Sequence, residues 1–523
     1  MSTNALQIRI DALSAQAQQY AVTRDFEKAT VCYEQALELS PGNSDLLLQL
    51  SYMQSLAGHY RRAREFALAA AVSGSQRHEV IKELLARLRT FNEIPAMLDY
   101  VERLLPMSRI SIPSLIAIAA QLTYVGRAER AIDFLDEAKR GDPDYPATLL
   151  SRAHVLIYLG RFAEAGDDLA RVLKRAPQLA QGYWLQSQIR KQTAGDNHVA
   201  AITAQLRVPQ RTPQDTSLLA FALHKELDDL QRHDEAWKAL QKACAAKRAS
   251  IRYEPDQSAR LFDALRAFRP RAHAPQVGPS NSAVPIFVLG MHRSGTTLLE
   301  QLLDGHAEVQ GLGELYDFTS AMRHETDHHC AGVIDTRIVE CAATADLTAV
   351  GRRYLQGVAW RLGGKRHFVD KLPSNFLNLG FICEAMPQAK ILHMVRDPME
   401  TCFSNLRELF SEANPYSYDQ IELADYFNQY RRLMAHWHAR YPGRILDVDY
   451  ARLTSEPEAV IGEVCDFIGI AFDPQMLDMR SRSRAVVTAS AVQVRDRITV
   501  QPTPKWKAYE KGLLPLRQRL GVG

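Results

Sequence analysis

The first half of the chain repeats one pattern of apolar positions at a constant interval. Five anchors lie 34 residues apart, namely Phe26, Tyr60, Ile94, Ala128 and Phe162. Three positions after each anchor comes a small or apolar residue, in order Ala29, Ala63, Met97, Ala131 and Ala165. Positions separated by three and seven lie on one face of a helix, and a small side chain there lets a second helix approach closely. The pattern therefore predicts stacked helix pairs.

Glycine and proline mark the ends of these predicted helices. Gly58, Gly126 and Gly160 lie two positions before their anchors, where glycine ends a first helix. Pro41, Pro143 and Pro177 lie fifteen positions after theirs, where proline stops a second helix. This ladder covers residues 10–205 and resembles the tetratricopeptide repeat. A last helix pair is predicted at 217–230 and 234–246, and stacked pairs of this kind usually present a face to a peptide or protein.

A linker separates this part from a region with a different pattern. Residues 269–283 contain three prolines among scattered polar residues, which is typical of a linker. We therefore divide the chain into a repeat domain at 1–268, a linker at 269–283 and a second domain at 284–523. The predicted fold class is an N-terminal all-α solenoid followed by a P-loop-like α/β domain, three-layered with a mainly parallel sheet.

The second domain opens with a strand, a tight loop and a helix. The apolar run 286–289 precedes Gly290 and Gly295, and Thr296 and Thr297 follow. This spacing matches the phosphate-binding P-loop, except that Thr296 replaces its lysine and Arg293 lies inside the loop. Backbone N–H groups at the start of a helix bind anions, so the loop predicts a phosphate cradle that does not suit transfer of the ATP γ-phosphate.

A second anion-binding pattern lies about 100 residues further on. Residues 390–395 predict a buried strand that ends at Arg396, and Pro398 suits the first turn of a helix. Ser404 lies eight residues after Arg396. An arginine at the carboxyl end of a strand, with a hydroxyl nearby, suits a second phosphate. A structural ion pair of Arg396 with a neighbouring carboxylate is the alternative interpretation.

Taken together, the two patterns resemble the nucleotide-binding motifs of sulfotransferases, most closely the tyrosylprotein sulfotransferases, over residues 284–510. The resemblance implies that the first loop holds the 5′-phosphosulfate of 3′-phosphoadenosine 5′-phosphosulfate (PAPS), and that Arg396 and Ser404 hold its 3′-phosphate. The family has proline where this chain has His292, which we place in the wall of the nucleotide site. The implied nucleotide-binding residues are His292, Arg293, Ser294, Gly295, Thr296, Thr297, Arg396, Ser404, Tyr450, Ser490 and Lys505.

The same resemblance assigns catalytic roles. Glu314 corresponds to the proposed general base of the family, and Lys371 to a lysine that stabilises charge on the bridging oxygen. A solvated loop carboxylate and a surface lysine are the plain alternatives. Arg293, Ser490 and Lys505 complete the implied catalytic set, while a basic surface tail is the alternative for the last two. Asn375 is expected to cap the helix that follows Lys371.

Composition excludes several other classes of protein. The 63 basic and 60 acidic residues give a net charge of +3, which does not indicate a nucleic-acid partner. Seven widely spaced cysteines without a CxxC motif argue against a disulfide framework and fit a reducing compartment. His324 and His328 have a spacing that suits zinc on a helix, but no fourth ligand has a clear spacing, and we predict no metal. No apolar stretch is long enough to span a membrane, and we see no signal peptide.

The sequence therefore predicts a cytoplasmic, PAPS-dependent sulfotransferase that modifies a hydroxyl acceptor, with protein tyrosine as the favoured acceptor. The repeat domain is expected to present a protein or peptide, and a homodimer is kept open. Three alternatives remain at this point. They are a carbohydrate or small-molecule sulfotransferase, a nucleoside-triphosphate kinase, and a non-catalytic repeat scaffold with a degenerate nucleotide-binding domain.

Overall fold

The computed structural model describes residues 3–270, 283–410, 412–478 and 503–522. Up to residue 270 these residues form helices joined by short turns. The helices are α1 (Thr3–Val22), α2 (Phe26–Leu39), α3 (Ser44–Ala57), α4 (Tyr60–Ser73), α5 (His78–Thr90), α6 (Ile94–Arg103), α7 (Ile112–Tyr124), α8 (Ala128–Gly141), α9 (Pro146–Leu159), α10 (Phe162–Arg175), α11 (Ala180–Gln188), α12 (Val199–Leu206), α13 (Pro213–Asp229), α14 (His233–Ser250) and α15 (Pro255–Ala267).

The predicted register of the helix pairs is confirmed. Each of the five anchors is the first residue of a helix, and these helices are α2, α4, α6, α8 and α10. The residues three positions later are all fully buried, which explains the preference for alanine there. Gly58 and Gly160 end α3 and α9 in the left-handed conformation, which glycine adopts without a steric penalty.

The last predicted helix pair is also present, as α13 and α14, and the two helices pack along each other. Thr212 caps α13 by accepting a hydrogen bond from the Asp215 N–H, and Pro213 occupies the first turn. Helices α12 and α15 were not predicted from the sequence. Helix α12 has only eight residues and leads into a polar, proline-containing stretch, so its periodicity is short.

After residue 283 the chain forms the elements of an α/β domain. In chain order they are β1 (Val284–Gly290), α16 (Thr296–Leu303), β2 (Val309–Gly311), α17 (Asp317–Thr326), α18 (Thr336–Ala342), α19 (Leu347–Val358), β3 (His367–Asp370), α20 (Leu379–Ala385), β4 (Lys390–Val395), α21 (Pro398–Leu406), α22 (Gln420–Arg440), β5 (Ile445–Asp449), α23 (Tyr450–Ser455), α24 (Pro457–Ile468) and α25 (Leu514–Leu520).

The five strands form one parallel sheet in the order β2-β3-β1-β4-β5. Strand β1 is central, and its residues Ile286, Phe287, Val288 and Leu289 are fully buried, as expected for a parallel sheet covered on both faces. Helices α16 and α24 cover one face with apolar side chains. Helix α22 reaches the other face, where Tyr430 contacts His393 of β4. This layered parallel sheet confirms the predicted fold class.

The residues group into two compact units. The first contains Met1–Pro143 and Tyr316–Trp360, and the second contains Asp144–Leu315 and Arg361–Gly523. In the first unit, α17 packs on α4, and the Ser320 hydroxyl donates a hydrogen bond of 3.0 Å to the Phe91 carbonyl. The second unit combines α9–α15 with the whole sheet. Among the described helices, none has the length and apolarity needed to cross a membrane.

Candidate functional site

The carboxyl ends of all five strands lead directly into the residues that sequence analysis selected. The loop with Arg293 follows β1, Glu314 follows β2, and Lys371 follows β3. Arg396 follows β4, and Tyr450 follows β5. Because the strands are parallel, these five positions lie along one edge of the sheet, which is where ligands bind in open α/β sheets.

The loop after β1 requires glycine at both of its ends. Gly290 has φ +146°, and a Cβ atom there would lie 2.7 Å from the Met394 carbonyl oxygen. Gly295 has φ +109°, and a Cβ atom there would lie 2.4 Å from Tyr450 Cδ2. Both conformations and both contacts exclude larger residues. The loop therefore packs tightly against the ends of β4 and β5.

This loop has the features of an anion-binding cradle. Helix α16 begins at Thr296, and the Leu298 N–H is the first that donates back to the Gly295 carbonyl, so the N–H groups of Thr296 and Thr297 precede the hydrogen bonds of the helix. The Ser294 side chain is 1% exposed, and among the described residues its Oγ has no hydrogen-bond partner. A buried hydroxyl without a partner needs an explanation. A bound phosphate oxygen would accept its proton, so the residues present fit an anionic ligand.

Arg293 lies inside the site and contacts helix α21. Its Nε donates a hydrogen bond of 3.2 Å to Ser404 Oγ, and its Nη1 lies 3.6 Å from Glu408 Oε2. Burial lowers the pKa of Arg293 and raises the pKa of Glu408. The two shifts have the same cause, because both charged groups lose water. Glu408 was not predicted from the sequence, because it lies just beyond the end of α21, where helical spacing from Ser404 no longer applies.

Arg396 lies next to the same loop. Its Nη1 donates a hydrogen bond of 3.3 Å to the Arg293 carbonyl, and its guanidinium lies 4.3 Å from the centre of the Tyr450 ring. It also forms an ion pair with Glu400. The structure thus brings Arg396, Ser404 and Tyr450 together around Arg293. The ion pair with Glu400 supports a structural role for Arg396. The contacts of Arg396 with the loop and with Tyr450 support a role in phosphate binding.

Lys371 and Glu314 form an ion pair beside the loop. Lys371 Nζ lies 2.7 Å from Glu314 Oε1. The lysine side chain is 0% exposed, whereas the glutamate side chain is 34% exposed. The Lys371 N–H also donates a hydrogen bond of 3.0 Å to the Gly313 carbonyl, which fixes the two loops to each other. Lys371 is therefore not a surface lysine, and the Glu314 side chain is partly open to solvent.

His292 adds a neutral, polar side chain to the site. Its Nδ1 lies 3.3 Å from the Tyr416 hydroxyl, and its carbonyl accepts a hydrogen bond of 2.7 Å from Asn405 Nδ2. Burial lowers the pKa of His292 to about 4. The charge of Glu314 opposes this shift, and the charges of Lys371 and Arg293 add to it. The imidazole is therefore uncharged at neutral pH.

Helix α9 of the repeat-type helices also reaches this region. The Tyr158 hydroxyl lies 3.0 Å from His154 Nε2. Burial raises the pKa of Tyr158 to about 12, and the charges of Glu314 and Glu408 act in the same direction. Tyr158 therefore stays protonated near Glu314. Nothing in its sequence context marks it as a site residue, because it lies within an ordinary repeat helix.

The remaining predicted site residues lie near the end of the chain. Lys505 begins the 3-10 helix Lys505–Tyr509, which packs against α21 and α14. Ser490 lies outside the described residues. The prediction for Asn375 was wrong. It lies inside the 3-10 helix Pro373–Leu377, where its Nδ2 donates to Asp370 Oδ1 at 3.4 Å. Asn378 occupies the N-cap position of α20 instead.

Two histidine clusters bear on metal binding. His328 lies beyond the end of α17, so His324 and His328 do not share the helix face that a zinc pair needs, and His328 Nε2 bonds to Asp335 Oδ2 at 2.9 Å. Among the described residues, the ligand atoms of one further group, His393, His438 and Asp447, lie within 4.8 Å of one another. Both imidazoles contact Asp447 Oδ1, at 2.7 and 2.9 Å, so hydrogen bonds already occupy these atoms.

Comparison with protein families agrees with the two-part architecture. Residues 285–474 match the model described as the sulfotransferase family. Residues 32–65 match the model of the tetratricopeptide repeat. The first match covers β2 to β5, all but the first residue of β1, and the loop after β1. The second covers most of α2, all of α3 and the start of α4.

Several known proteins are similar to this chain. An uncharacterised protein of Aquifex aeolicus (strain VF5) is 31% identical over 410 residues, which cover 75% of this chain and 52% of the relative. The chain thus spans about half the length of that relative. A putative protein-tyrosine sulfotransferase of Caenorhabditis briggsae is 28% identical over 236 residues, or 43% of this chain and 82% of that protein. Protein-tyrosine sulfotransferase 2 of Gallus gallus is 23% identical over 45% of this chain and 68% of its own length.

Proposed function

The chain carries a sulfotransferase-family domain at its C-terminal side and tetratricopeptide repeats at its N-terminal side, and we propose that it transfers a sulfuryl group from PAPS to a hydroxyl acceptor. The observation that carries this proposal is the edge of the sheet. There the anion cradle after β1 lies beside the Lys371–Glu314 ion pair and the Arg396–Tyr450 contact. An anion site and a carboxylate at one edge of the sheet suit transfer of an anionic group to a hydroxyl.

The cradle and the arginines bind the nucleotide. Ser294, the first turn of α16 and Arg293 hold the 5′-phosphosulfate by charge-assisted hydrogen bonds. Arg396 and Ser404 hold the 3′-phosphate, and Tyr450 lies against the Arg396 guanidinium. Bound PAPS would supply the sulfuryl group and a bisphosphate leaving group. The phosphate at the 3′ position also distinguishes this donor from ATP.

Glu314 and Lys371 act on the acceptor and on the leaving group. Glu314 accepts the hydroxyl proton as the acceptor oxygen forms its bond to sulfur, and the bond from sulfur to the bridging oxygen breaks. Once Glu314 is protonated, the buried Lys371 ammonium loses its paired charge and is attracted to the charge on the departing phosphate. Proton removal and leaving-group stabilisation are thereby coupled through one ion pair.

Protein tyrosine is the acceptor that we propose. Relatives whose names specify protein-tyrosine sulfotransferase match 43% and 45% of this chain. A tyrosine hydroxyl has a pKa near 10, so it needs a carboxylate that removes the proton as transfer proceeds. The tetratricopeptide repeats support a protein or peptide acceptor, because stacked helix pairs commonly bind peptides.

The nucleotide assignment is tested by calorimetric titration with 3′-phosphoadenosine 5′-phosphate, with ATP and Mg²⁺ as the comparison. Arg396→Ala removes a charge-assisted contact and should weaken binding by about 1.5–3 kcal/mol. Arg452→Ala is the control. It removes the same charge from a surface ion pair with Glu463 in α24 and should leave binding unchanged. Preference for ATP with Mg²⁺, or equal binding by wild type and Arg396→Ala, would contradict the proposal.

The acceptor assignment requires a separate experiment. The purified chain is incubated with ³⁵S-labelled PAPS and a peptide that contains one tyrosine. The matched control is the same peptide with phenylalanine in place of the tyrosine. Label on the tyrosine peptide alone supports the proposed acceptor. A sugar and a small phenol are tested as further acceptors. Label on either of these but on neither peptide would support sulfotransferase activity and contradict the proposal of a protein acceptor.

A further inference from the structure

We propose that Asp228, on helix α13 of the repeat-type helices, is a positioning residue of the nucleotide site. This inference rests on the proposed function. Its two carboxylate oxygens hold two separate elements of that site, the end of α21 and the segment that carries Lys505. A helix of the repeat part is thereby a component of the nucleotide site.

The carboxylate of Asp228 makes one contact with each of these elements. Oδ2 lies 2.6 Å from Arg407 Nη2, and Oδ1 accepts a hydrogen bond from the Tyr509 hydroxyl. The side chains of Asp228 and Arg407 are only 17% and 18% exposed. Burial alone would raise the pKa of Asp228, but Arg407 and the Tyr509 hydroxyl lower it to about 2. Asp228 is therefore charged throughout the working range of pH.

Tyr509 fixes the segment that carries Lys505. Its ring lies 5.1 Å from the Phe403 ring of α21 and 5.4 Å from the His233 ring of α14. Three residues later, a Cβ atom at Gly512 would lie 2.2 Å from Trp237 Cε2, so the backbone runs directly over that side chain. Tyr509 and Lys505 end and begin the same 3-10 helix. Placement of Tyr509 therefore determines placement of Lys505.

Arg407 connects Asp228 to the other side of the site. It directly follows α21, the helix that carries Ser404, and its N–H donates to the Phe403 carbonyl. Its charge acts on both Arg293 and Glu408, the two residues that pair inside the site. Asp228 offsets that extra positive charge. Without it, Arg407 would compete with Arg293 for Glu408, and the end of α21 would lose its contact with α13.

The test compares binding of 3′-phosphoadenosine 5′-phosphate by wild type, Asp228→Asn and Tyr509→Phe, together with their thermal stability. Each variant removes one charge or one hydroxyl and keeps the side-chain shape. We expect both to weaken binding by about 10-fold, the effect of one hydrogen bond to a charged group. Tyr509→Phe retains the ring packing, so it remains informative if Asp228→Asn does not fold.

Glu422→Gln is the matched control. Glu422 pairs with Arg248 of α14 at 2.8 Å, so it also joins a repeat-type helix to the α/β domain, and it is similarly buried. A general loss of stability would follow from this variant as well. We expect Glu422→Gln to lower the melting temperature without changing nucleotide affinity. Equal weakening by Glu422→Gln and Asp228→Asn would overturn the positioning role.

A double-mutant cycle tests whether Asp228 acts through Lys505. In the Lys505→Ala background, Tyr509→Phe should weaken binding by less than about twofold further, because it breaks only the Asp228 contact to the segment that carries Lys505, and residues of one network are not additive. Full additivity, or wild-type affinity of Asp228→Asn and Tyr509→Phe, overturns the inference and leaves the proposed function intact. Failure of wild type to bind the bisphosphate removes the proposed function itself, and the inference with it.

Discussion

Replacing Glu314 by glutamine should make the nucleotide bind more tightly while the free protein becomes less stable. Lys371 is fully buried and has Glu314 as its ion-pair partner at 2.7 Å. Glu314→Gln keeps the size of the side chain and removes its charge. The buried ammonium group then lacks a counter-charge until an anion enters the site. The uncompensated charge of Lys371 therefore lowers the stability of the free protein and raises its affinity for the nucleotide.

The expected magnitude follows from the burial of the pair. Removing one partner of a fully buried ion pair costs about 3–5 kcal/mol. Glu314 is 34% exposed, so water already screens part of the interaction. We therefore expect the free energy of unfolding of the nucleotide-free protein to fall by about 1–2 kcal/mol. If the bisphosphate restores the missing charge, its affinity should rise by a factor of about 5–30.

Urea denaturation of nucleotide-free protein and calorimetric titration with 3′-phosphoadenosine 5′-phosphate measure the two quantities. Glu308→Gln is the control. Glu308 is exposed and lies just before β2, so this substitution removes the same charge at a position outside the ion pair. Weaker nucleotide binding by Glu314→Gln would refute the reasoning, since it would mean that the carboxylate contributes to the bound state. Unchanged stability would show that Lys371 does not depend on its partner.

Two further predictions concern the loop and the response to acid. Gly295→Ala should abolish bisphosphate binding in the same titration, because its Cβ would lie 2.4 Å from Tyr450, whereas Gly462→Ala in α24 has no neighbour within 4 Å and should bind normally. Burial lowers the pKa of His224 to about 4. The unfolded chain therefore takes up the proton on this imidazole first, and His224 by itself should make unfolding easier by about 3 kcal/mol between pH 6.5 and 4. His224→Asn should flatten this dependence in urea denaturation, and an unchanged slope would contradict it.

Much of the local structure was predictable because it depends on neighbours along the chain. The 34-residue interval identified the first residue of five helices, since a small side chain at every contact is a requirement of pairwise packing. Apolar runs predicted β1 and β4. The sequence did not reveal α12 or α15, and β2, with only three residues, is too short to produce a recognisable pattern.

The candidate site was predictable in part for the same reason. A parallel strand delivers the residue after it to one edge of the sheet, so Arg396 could be selected as the residue that follows an apolar run, whereas Lys371 and Tyr450 were selected through the family resemblance. Their roles stay predictions until the nucleotide and acceptor experiments are done. Asn375 was misassigned because the chain forms a short 3-10 helix after Pro373, and that turn changes which residue precedes α20.

The sequence by itself determined the register of the five anchored helices, the positions of β1 and β4 and the two anion-binding motifs, because each of these depends on spacing along the chain. Only the tertiary structure decided which charges meet. Glu408 beside Arg293, Glu314 beside Lys371, and Asp228 between Arg407 and Tyr509 are separated by 57 to 281 residues in the chain. Such pairs form where burial removes water from both partners, and no local pattern records which distant side chain will share that burial.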